Sequence, residues 1–465
     1  MMAVTTASPT PTPLPGRAPR PPGPKGHWLT GNLREFRQDR LGFLTGCART
    51  YGDVVAIRLG PARIWVLNHP DLVEEVLVHK NRQFIKHFAL RSARPSLGEG
   101  LLTSEGEFWR RQRRLAQPAF HRDRIASYGQ VMVDYAERSI RSWADGQRRD
   151  AQADMMRLTL EIVVKTLFDA DITRESAGLA GAMETVMQSF TDRVNRLIRF
   201  PVWLPVPSNV RFRGALRSVE AILYEIIAER RRSGEDRGDL LSMLLHAQDV
   251  EGDGGGMTDR QLRDEVVTLF MAGHETTANT LAWVWYLLSA HPQVEARLHA
   301  ELDDVLGGRA PTVDDLSRLT YTDWVVTETL RLMPTVWLLG REAIEPTEVG
   351  GYLVPKGHTL WMSQWVLHRD ARHFESPEEF LPERWADGLA RRLPRYAYFP
   401  FGGGPRICIG NHFAQMEAVL LLATIARRFR PLVPPGTTIK PIATMTLRPD
   451  GGVPVVLEER RPRHE

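Results

Sequence analysis

The chain has 465 residues and a formal net charge of +4, with 43% hydrophobic and 25% charged residues. So small a charge gives no indication of nucleic-acid binding, and the composition is that of a globular protein able to bury a large core. No apolar run is long enough to span a membrane, so we expect no membrane anchor. Residues 1–20 are rich in proline, threonine and alanine and lack the apolar core of a signal peptide. The sequence predicts a disordered leader there and a single domain over residues 21–465.

Short elements are predicted in the N-terminal part of the chain. A helix over residues 41–51 is followed by a hairpin whose strands, residues 54–59 and 63–67, flank a Gly-Pro pair. Residues 84–102 show no clear period and contain one proline and two glycines, which predicts a long surface loop.

Helical periodicity dominates the middle of the chain, and the predicted helices cover residues 128–143, 155–167, 176–197 and 210–232. The longest helix starts after Thr258, which can form a capping box with Gln261, and Pro292 limits its far end. A helix of about thirty residues is on the order of 45 Å long, enough to cross a domain. The sequence therefore predicts a mainly α fold with small β-sheets. Near the C-terminus, residues 442–447 and 453–457 predict a hairpin.

One cysteine lies in a glycine-rich stretch just before a long apolar helix. Residues 401–410 read Phe-Gly-Gly-Gly-Pro-Arg-Ile-Cys-Ile-Gly, with the cysteine at position 408. A neighbouring cation and a helix N-terminus favour the thiolate, which is the form that binds a metal. One thiolate cannot close a tetrahedral zinc site, whereas a haem iron uses a single axial thiolate when oxygen is to be cleaved. The alternative interpretation is a buried free cysteine in a glycine-rich turn.

This stretch resembles the cysteine-ligand loop of the cytochrome P-450 family, Phe-x-x-Gly-x-Arg-x-Cys-x-Gly. The matching positions are Phe401, Gly404, Arg406, Cys408 and Gly410. The resemblance implies that Cys408 is the iron ligand of haem b (iron protoporphyrin IX), with Phe401, Arg406 and Gly410 among the residues that bind the cofactor. It also implies a fold in which the haem lies between a long central helix and the helix that follows the cysteine. Because the chain has only two cysteines, we expect a reducing, cytoplasmic location.

The long predicted helix contains Ala-Gly-His-Glu-Thr-Thr at residues 272–277. A glycine inside a helix costs about 1 kcal/mol relative to alanine, and small side chains at Ala272 and Thr276 would open a slot beside a flat cofactor. The motif resembles the family pattern Ala/Gly-Gly-x-Asp/Glu-Thr. The resemblance implies that Thr276 holds bound dioxygen and its water, and that Glu275 relays protons as a general acid. The alternative is a buried helix with internally satisfied polar groups, and we interpret His274 as structural.

A strongly basic helix is predicted over residues 108–115, and most of its arginines are expected on a solvated face. Trp109 and Arg113 share one side of that helix because they are four residues apart. In the family a Trp-x-x-x-Arg pair of this kind holds a haem propionate, and the resemblance makes Arg341 the candidate for the second propionate.

Three further charges are predicted to be structural. Glu328 and Arg331 lie three residues apart on a predicted helix, and Arg384 follows in a Pro-Glu-Arg element. Such pairs occur by chance on many helices. Their order between the Thr276 helix and the Cys408 loop resembles the family arrangement, which implies that they fix the loop carrying the cysteine.

The resemblance covers nearly the whole chain and implies a soluble bacterial-type monooxygenase. It would insert one oxygen atom from O2 into a hydrophobic small molecule, by hydroxylation or epoxidation of a terpenoid, fatty acyl or polyketide-like skeleton. No flavin or iron–sulfur module is recognised, so electrons are expected from a separate ferredoxin or flavoprotein reductase. Two alternatives stay open: a peroxide-using or isomerising haem-thiolate enzyme, and a non-enzymatic haem sensor.

Several segments are expected to surround the substrate by the same resemblance, with residues 181–204 as a mobile roof. The apolar residues in them, which would equally suit a protein core, are Phe88, Leu90, Val336, Trp337, Leu338 and Met445. Arg391, Arg392 and Arg395 are candidates for docking an acidic redox partner, although a solvated charge run is an equal alternative.

Overall fold

Helices make up most of the chain that the computed structural model describes, namely residues 20–169, 185–186, 204–252 and 254–460. The α-helices whose ends it describes are α1 (Leu33–Gln38), α2 (Arg40–Tyr51), α3 (Pro70–Glu74), α4 (Phe88–Arg91), α5 (Arg94–Leu97), α6 (Gly106–Ala116), α7 (Arg122–Ser127), α8 (Gly129–Ile140), α9 (Ala151–Phe168), α10 (Pro207–Ser233), α11 (Leu240–His246), α12 (Asp259–Ala290), α13 (Pro292–Leu306), α14 (Thr320–Leu332), α15 (Gln364–Leu367), α16 (Leu389–Arg392) and α17 (Asn411–Ala426).

The strands are short and form small sheets. They are β1 (Val54–Leu59), β2 (Ala62–Leu67), β3 (Phe84–Lys86), β4 (Arg148–Asp150), β5 (Leu339–Ala343), β6 (Thr347–Val349), β7 (Tyr352–Val354), β8 (Thr359–Met362), β9 (Phe429–Leu432), β10 (Pro441–Ala443), β11 (Leu447–Pro449) and β12 (Pro454–Glu459). The prediction of a mainly α fold with small β-sheets is confirmed.

The longest helix, α12, runs through the protein core: most of its residues are buried, and most of those buried residues are apolar. It begins at the predicted capping box: the Gln261 N–H donates to the Thr258 hydroxyl, and the Thr258 N–H donates to the Gln261 side chain. With 32 residues it is about 48 Å long, and it ends before Pro292, as predicted. It packs against α9, α14 and α17, so a site at its middle is surrounded by protein.

The largest sheet has five strands in the order β1-β2-β8-β5-β3. Strands β1 and β2 form the predicted hairpin, with Val55 opposite Val66. Strand β3 pairs antiparallel with β5, which places Lys86 opposite Arg341. The prediction of one long loop over residues 84–102 is therefore wrong in part, since that segment contains β3, α4 and α5. Elements of three or four residues are too short to show a period in the sequence.

The C-terminal strands pair differently from the prediction. Strands β10 and β11 pair with each other around a tight turn in which the Thr444 N–H donates to the Thr446 carbonyl at 3.0 Å. Strand β12 instead joins β4 and β9 in a three-stranded sheet. The predicted hairpin between residues 442–447 and 453–457 is wrong, because the first segment folds back on itself. Two glycines with positive φ then direct the chain into another sheet.

Across the residues described above, no helix combines the length and apolarity needed to cross a membrane. The predicted leader lies outside the described residues, apart from Arg20. So does most of the predicted roof over residues 181–204 and of the helix predicted over residues 176–197.

Candidate active site

A cavity of about 900 Å³ lies between α12 and the start of α17. Its wall is formed by segments from distant parts of the chain, including the middle of α12, the cysteine loop and the approach to β5. The predicted site residues that line it are Ala272, Glu275, Thr276, Arg341, Phe401, Arg406, Cys408 and Gly410. The fold thus gathers residues from three separate motifs around one space.

The loop that carries Cys408 is held by its own backbone and by close neighbours. The Cys408 N–H donates to the Phe401 carbonyl at 2.9 Å. Gly404 has a φ of +64°, and a Cβ there would lie 1.9 Å from the Leu77 carbonyl oxygen, so no other residue fits. The Gly404 N–H also donates to the Tyr396 hydroxyl at 3.1 Å. The position of the thiol is therefore fixed by backbone geometry.

The Cys408 side chain is exposed to the cavity, although the cavity itself lies deep in the protein. Burial raises the pKa of the Cys408 thiol, while the Gly410 N–H and the Arg113 guanidinium act in the opposite direction. Arg113 is close because it donates to the Ile407 carbonyl at 3.0 Å. A metal cation at the sulfur would complete the stabilisation of the thiolate.

Cationic side chains lie close together at one edge of the site. Arg341 is only 8% exposed and Lys86, opposite it in the sheet, 7% exposed. Burial, reinforced by repulsion from Arg406, lowers the pKa of Arg341 to about 10 and that of Lys86 well below its usual range. Arg406 is paired with Glu105. Among the described residues no carboxylate forms an ion pair with Arg341, so this edge carries surplus positive charge.

Helix α6 contacts the cysteine loop through the two residues that the sequence singled out. The Trp109 ring lies 4.1 Å from the Arg406 guanidinium carbon, and Arg406 also donates to the Ser104 carbonyl at 3.1 Å. Arg113, one turn further along α6, reaches Ile407. Trp109 and Arg113 therefore flank the loop from one helix face, as their spacing predicted.

These residues fit a haem. A single cysteine thiol is available to the iron, and the surplus cations suit the two propionate groups. In the described part of the chain, no group of three or more His, Cys, Asp or Glu side chains is placed to hold a metal ion.

The middle of α12 has the predicted small-residue groove. The Thr276 hydroxyl donates to the Ala272 carbonyl at 2.7 Å, one turn back along the helix. A Cβ on Gly273 would lie 3.1 Å from Val163 Cγ2, so the glycine lets α9 approach closely. His274 is buried, and burial lowers its pKa to about 4, which keeps it neutral near pH 7. Its environment agrees with the structural interpretation.

Glu275 has a partner that no sequence motif indicated. The Thr446 hydroxyl donates to Glu275 Oε1 at 2.6 Å. Thr446 lies in the turn between β10 and β11 and also lines the cavity. The candidate acid is therefore tied to a second element besides its own helix.

Glu328 is fully buried and accepts hydrogen bonds from both predicted arginines. Arg331 donates through Nε and Nη2 at 2.9 and 2.8 Å, and Arg384 donates through Nε at 2.8 Å. The Trp385 indole and the Leu381 N–H add bonds of 2.9 and 3.1 Å. Both oxygens of this carboxyl group thus accept hydrogen bonds from protein donors.

His368, to which the sequence analysis assigned no role, connects these charges to the cysteine loop. Arg331 donates to the His368 carbonyl at 2.9 Å, and the Phe399 N–H donates to His368 Nε2 at 3.0 Å. Burial lowers the pKa of His368 to about 3, so Nε2 remains an acceptor at neutral pH. Phe399 is two residues before Phe401, where the cysteine loop begins.

The apolar wall contains every residue that was expected near a substrate. These are Phe88, Leu90, Val336, Trp337, Leu338 and Met445. Since six apolar side chains face one cavity next to the thiol, a hydrophobic guest fits this space.

Comparison with known proteins gives consistent results. The family model described as Cytochrome P-450 matches residues 21–454. A Streptomyces melanosporofaciens protein named cyclooctat-9-en-7-ol 5-monooxygenase is 41% identical over 433 residues, which are 93% of this chain and 94% of that protein. Pentalenene oxygenase of Streptomyces avermitilis is 35% identical, covering 90% of this chain and 93% of its own. The crystal structure of the cytochrome P-450DA haem domain superposes with a TM-score of 0.87 at 30% identity, over 96% of this chain and 99% of that one.

Proposed function

This chain belongs to the cytochrome P-450 family, and we propose that it inserts one oxygen atom from O2 into a polycyclic terpenoid. As a member of this family it is a monooxygenase with a haem-thiolate cofactor, and it uses O2, a redox partner and a hydrophobic substrate. One observation carries the proposal: the Cys408 thiol, the Glu275–Thr276 pair and an apolar wall share one cavity.

We propose haem b as the cofactor. The Cys408 thiolate would hold the iron, and Arg341 and Arg406 would bind the propionates together with Trp109 and Arg113. Bound haem supplies the redox chemistry that cleaves dioxygen, which a thiolate ligand favours. Phe401 and Gly410 lie along the cavity wall beside the sulfur and would contact the ring.

Glu275 and Thr276 manage protons on the opposite side of the cavity. The Thr276 hydroxyl is bonded to the Ala272 carbonyl, and rotation about χ1 turns it toward a ligand in the groove. Glu275 is the general acid that replenishes protons at Thr276, since its carboxyl group is ionisable and both residues line the same cavity. Both residues sit in a wall that is otherwise mostly apolar, which limits access of bulk water.

A terpenoid substrate suits both the wall and the relatives. The names of two relatives specify pentalenene and cyclooctat-9-en-7-ol. The wall offers Phe88, Leu338 and Met445 for burial of hydrocarbon, worth about 25 cal/mol per Å². A polar anchor is available at Thr280 and Thr335, whose hydroxyls lie 2.9 Å apart in the same wall.

We propose that a ferredoxin or a flavoprotein reductase delivers the electrons, in the cytoplasm. Arg391 and Arg392 are exposed on α16, and exposed Arg395 lies 3.5 Å from Glu74. Such a basic face would attract an acidic partner and speed its association at low salt. A reducing compartment would keep the Cys408 thiol free.

The test combines a spectral titration with isotope-labelled turnover. The ferric protein is titrated with polycyclic terpenes, fatty acids and macrolide lactones while the Soret band is followed, and the binders are incubated with ferredoxin, ferredoxin reductase, NADPH and ¹⁸O₂. We expect the terpenes to bind and to gain one ¹⁸O atom. Oxidation that needs only peroxide, or isomerisation without label, would favour the peroxide-using or isomerising enzyme.

A ferrous carbonyl spectrum provides the control for the cofactor. The wild-type protein should show the long-wavelength Soret band of a thiolate-ligated haem, and Cys408→His should lose it. A wild-type spectrum like that of an imidazole-ligated globin contradicts the assigned ligand. Absence of product from every ligand that shifts the spectrum would indicate a haem sensor instead.

A further inference from the structure

The turn between β10 and β11 contacts both the candidate acid and the substrate space. The Thr446 hydroxyl donates to Glu275 Oε1 at 2.6 Å, and Thr446 is only 6% exposed. The preceding residue, Met445, lies in the apolar wall of the cavity. One short turn therefore places the Met445 side chain in the wall of the substrate space and the Thr446 side chain against Glu275.

The hydrogen bonds beyond Thr446 are oriented in a single direction. Gln152 Nε2 donates to Asn279 Oδ1 at 2.8 Å, and Asn279 Nδ2 lies 3.4 Å from the Thr446 oxygen as its donor. A hydroxyl can donate only one hydrogen bond, and the Thr446 hydroxyl donates its bond to Glu275. Each donor therefore points toward the carboxylate. The amide groups of Gln152 and Asn279 cannot pass a proton on. This series of hydrogen bonds therefore holds the Glu275 carboxylate in place and does not supply it with protons.

The base of the turn is rigidly held by indole groups. Trp337 Nε1 donates to the Thr444 carbonyl at 3.0 Å, and Trp283 Nε1 donates to the Leu447 carbonyl at 3.1 Å. The Leu447 N–H donates to the Thr335 carbonyl at 2.8 Å. With both ends held, the tip is the part of the turn that a ligand can displace.

We propose that Thr446 is a positioning residue for Glu275, and that the turn transmits substrate contact at Met445 to the carboxylate. With the cavity empty, Thr446 holds Glu275 against the turn. A substrate pressing on Met445 shifts the tip, weakens the bond from Thr446 and releases Glu275 toward Thr276. This inference rests on the proposed monooxygenase function, and it adds a reason why proton delivery would wait for substrate.

The first test needs no turnover. Unfolding constants are measured for the wild type, Thr446→Val, Glu275→Met and the double variant, with Thr446→Ser as the conservative control. We expect the effects of the two single variants to be non-additive by about tenfold, which is about 1.4 kcal/mol. We expect Thr446→Ser to match the wild type. Additive effects, or a Thr446→Ser variant as perturbed as Thr446→Val, would overturn the proposal.

The second test uses the holoenzyme and measures two quantities: the hydrogen exchange of the turn, and the peroxide released per NADPH consumed. Hydrogen exchange at residues 444–447 should increase in the wild type and in Thr446→Ser when a Soret-shifting ligand binds, but should already be high in Thr446→Val without ligand. In turnover, Thr446→Val should release several-fold more peroxide per NADPH than either protein with a hydroxyl, with an altered pH profile. Equal exchange and equal peroxide in all three proteins would refute the inference. If the wild type forms no product at all, the proposed function fails, while the stability cycle and the exchange data still decide the role of Thr446.

Discussion

Replacing Glu328 by glutamine should cost the protein its cofactor. Glu328 and Arg331 are both 0% exposed, and Arg384 is 7% exposed, so no water can replace the lost charge. Glutamine keeps the shape but leaves two guanidinium groups facing one neutral oxygen and an amide donor. Breaking a buried ion pair in this way costs about 3–5 kcal/mol. The strain should reach the cysteine loop, because Arg331 and Phe399 meet at His368.

This prediction is measured by haem content and thermal unfolding. Unfolding entropy of about 2 cal/mol/K per residue gives about 1 kcal/mol/K for the whole chain, so the Tm of the haem-free Glu328→Gln protein should lie about 3–5 °C below that of the haem-free wild type. Haem per protein, from the pyridine haemochrome, should fall several-fold. The matched control is Glu229→Gln, since Glu229 is 56% exposed and lies 3.3 Å from Arg237. Exposed pairs contribute about 0.2–1 kcal/mol, so the control should keep its haem. If both variants retain haem and Tm equally, the buried charges do not hold the loop.

Three other substitutions test two features of the site and one buried carboxyl group, Glu417 on α17. Arg341→Met should lower haem affinity about ten- to a hundredfold in a haem-transfer assay, because a charged hydrogen bond is worth about 1.5–3 kcal/mol, yet leave the haem-free protein at least as stable. Gly404→Ala should abolish haem incorporation because its Cβ would meet the Leu77 carbonyl at 1.9 Å, whereas Gly436→Ala, also at positive φ but in open space, should cost only about 1 kcal/mol of unfolding free energy. Burial raises the pKa of Glu417 from 4.5 to about 8, so the folded state holds a proton that the unfolded state has released between those pH values. Stability therefore falls as pH rises through this window, by up to about 1.4 kcal/mol per pH unit, and urea unfolding of Glu417→Gln at pH 5.5, 6.5 and 7.5 should lack this loss.

The features that the sequence predicted correctly are the local ones. The cysteine loop spans ten residues, and the capping box at Thr258 needs only four. Both motifs can therefore be recognised from residues that are close together in the sequence. The same holds for Trp109 and Arg113, whose spacing of four puts them on one helix face whatever surrounds the helix. The capping box and the helix face follow from local φ preferences and helical periodicity, whereas the final position of the cysteine loop also depends on its contact with Leu77.

Residues that act through distant partners were not predictable. Thr446 meets Glu275 across 171 positions, and only the turn between β10 and β11 brings it there. Lys86 reaches Arg341 through strand pairing, in a segment whose short elements show no period. A single histidine such as His368 has no pattern to mark it. One sequence contains no signal for such pairings, because the register and packing of remote segments decide them.

The buried charges at the site indicate that cofactor binding and stability are linked. Lys86 and Arg341 are both desolvated, and repulsion from Arg406 destabilises them further. Glu105 offsets part of this repulsion at both residues, and the two propionates of a haem would offset more of it. A ligand at a thousand times its Kd stabilises the folded state by about 4.1 kcal/mol, so the holoprotein should be several kcal/mol more stable than the haem-free chain. A variant that weakens the Glu328 cluster therefore lowers stability twice, once by breaking the ion pair and again by releasing the haem.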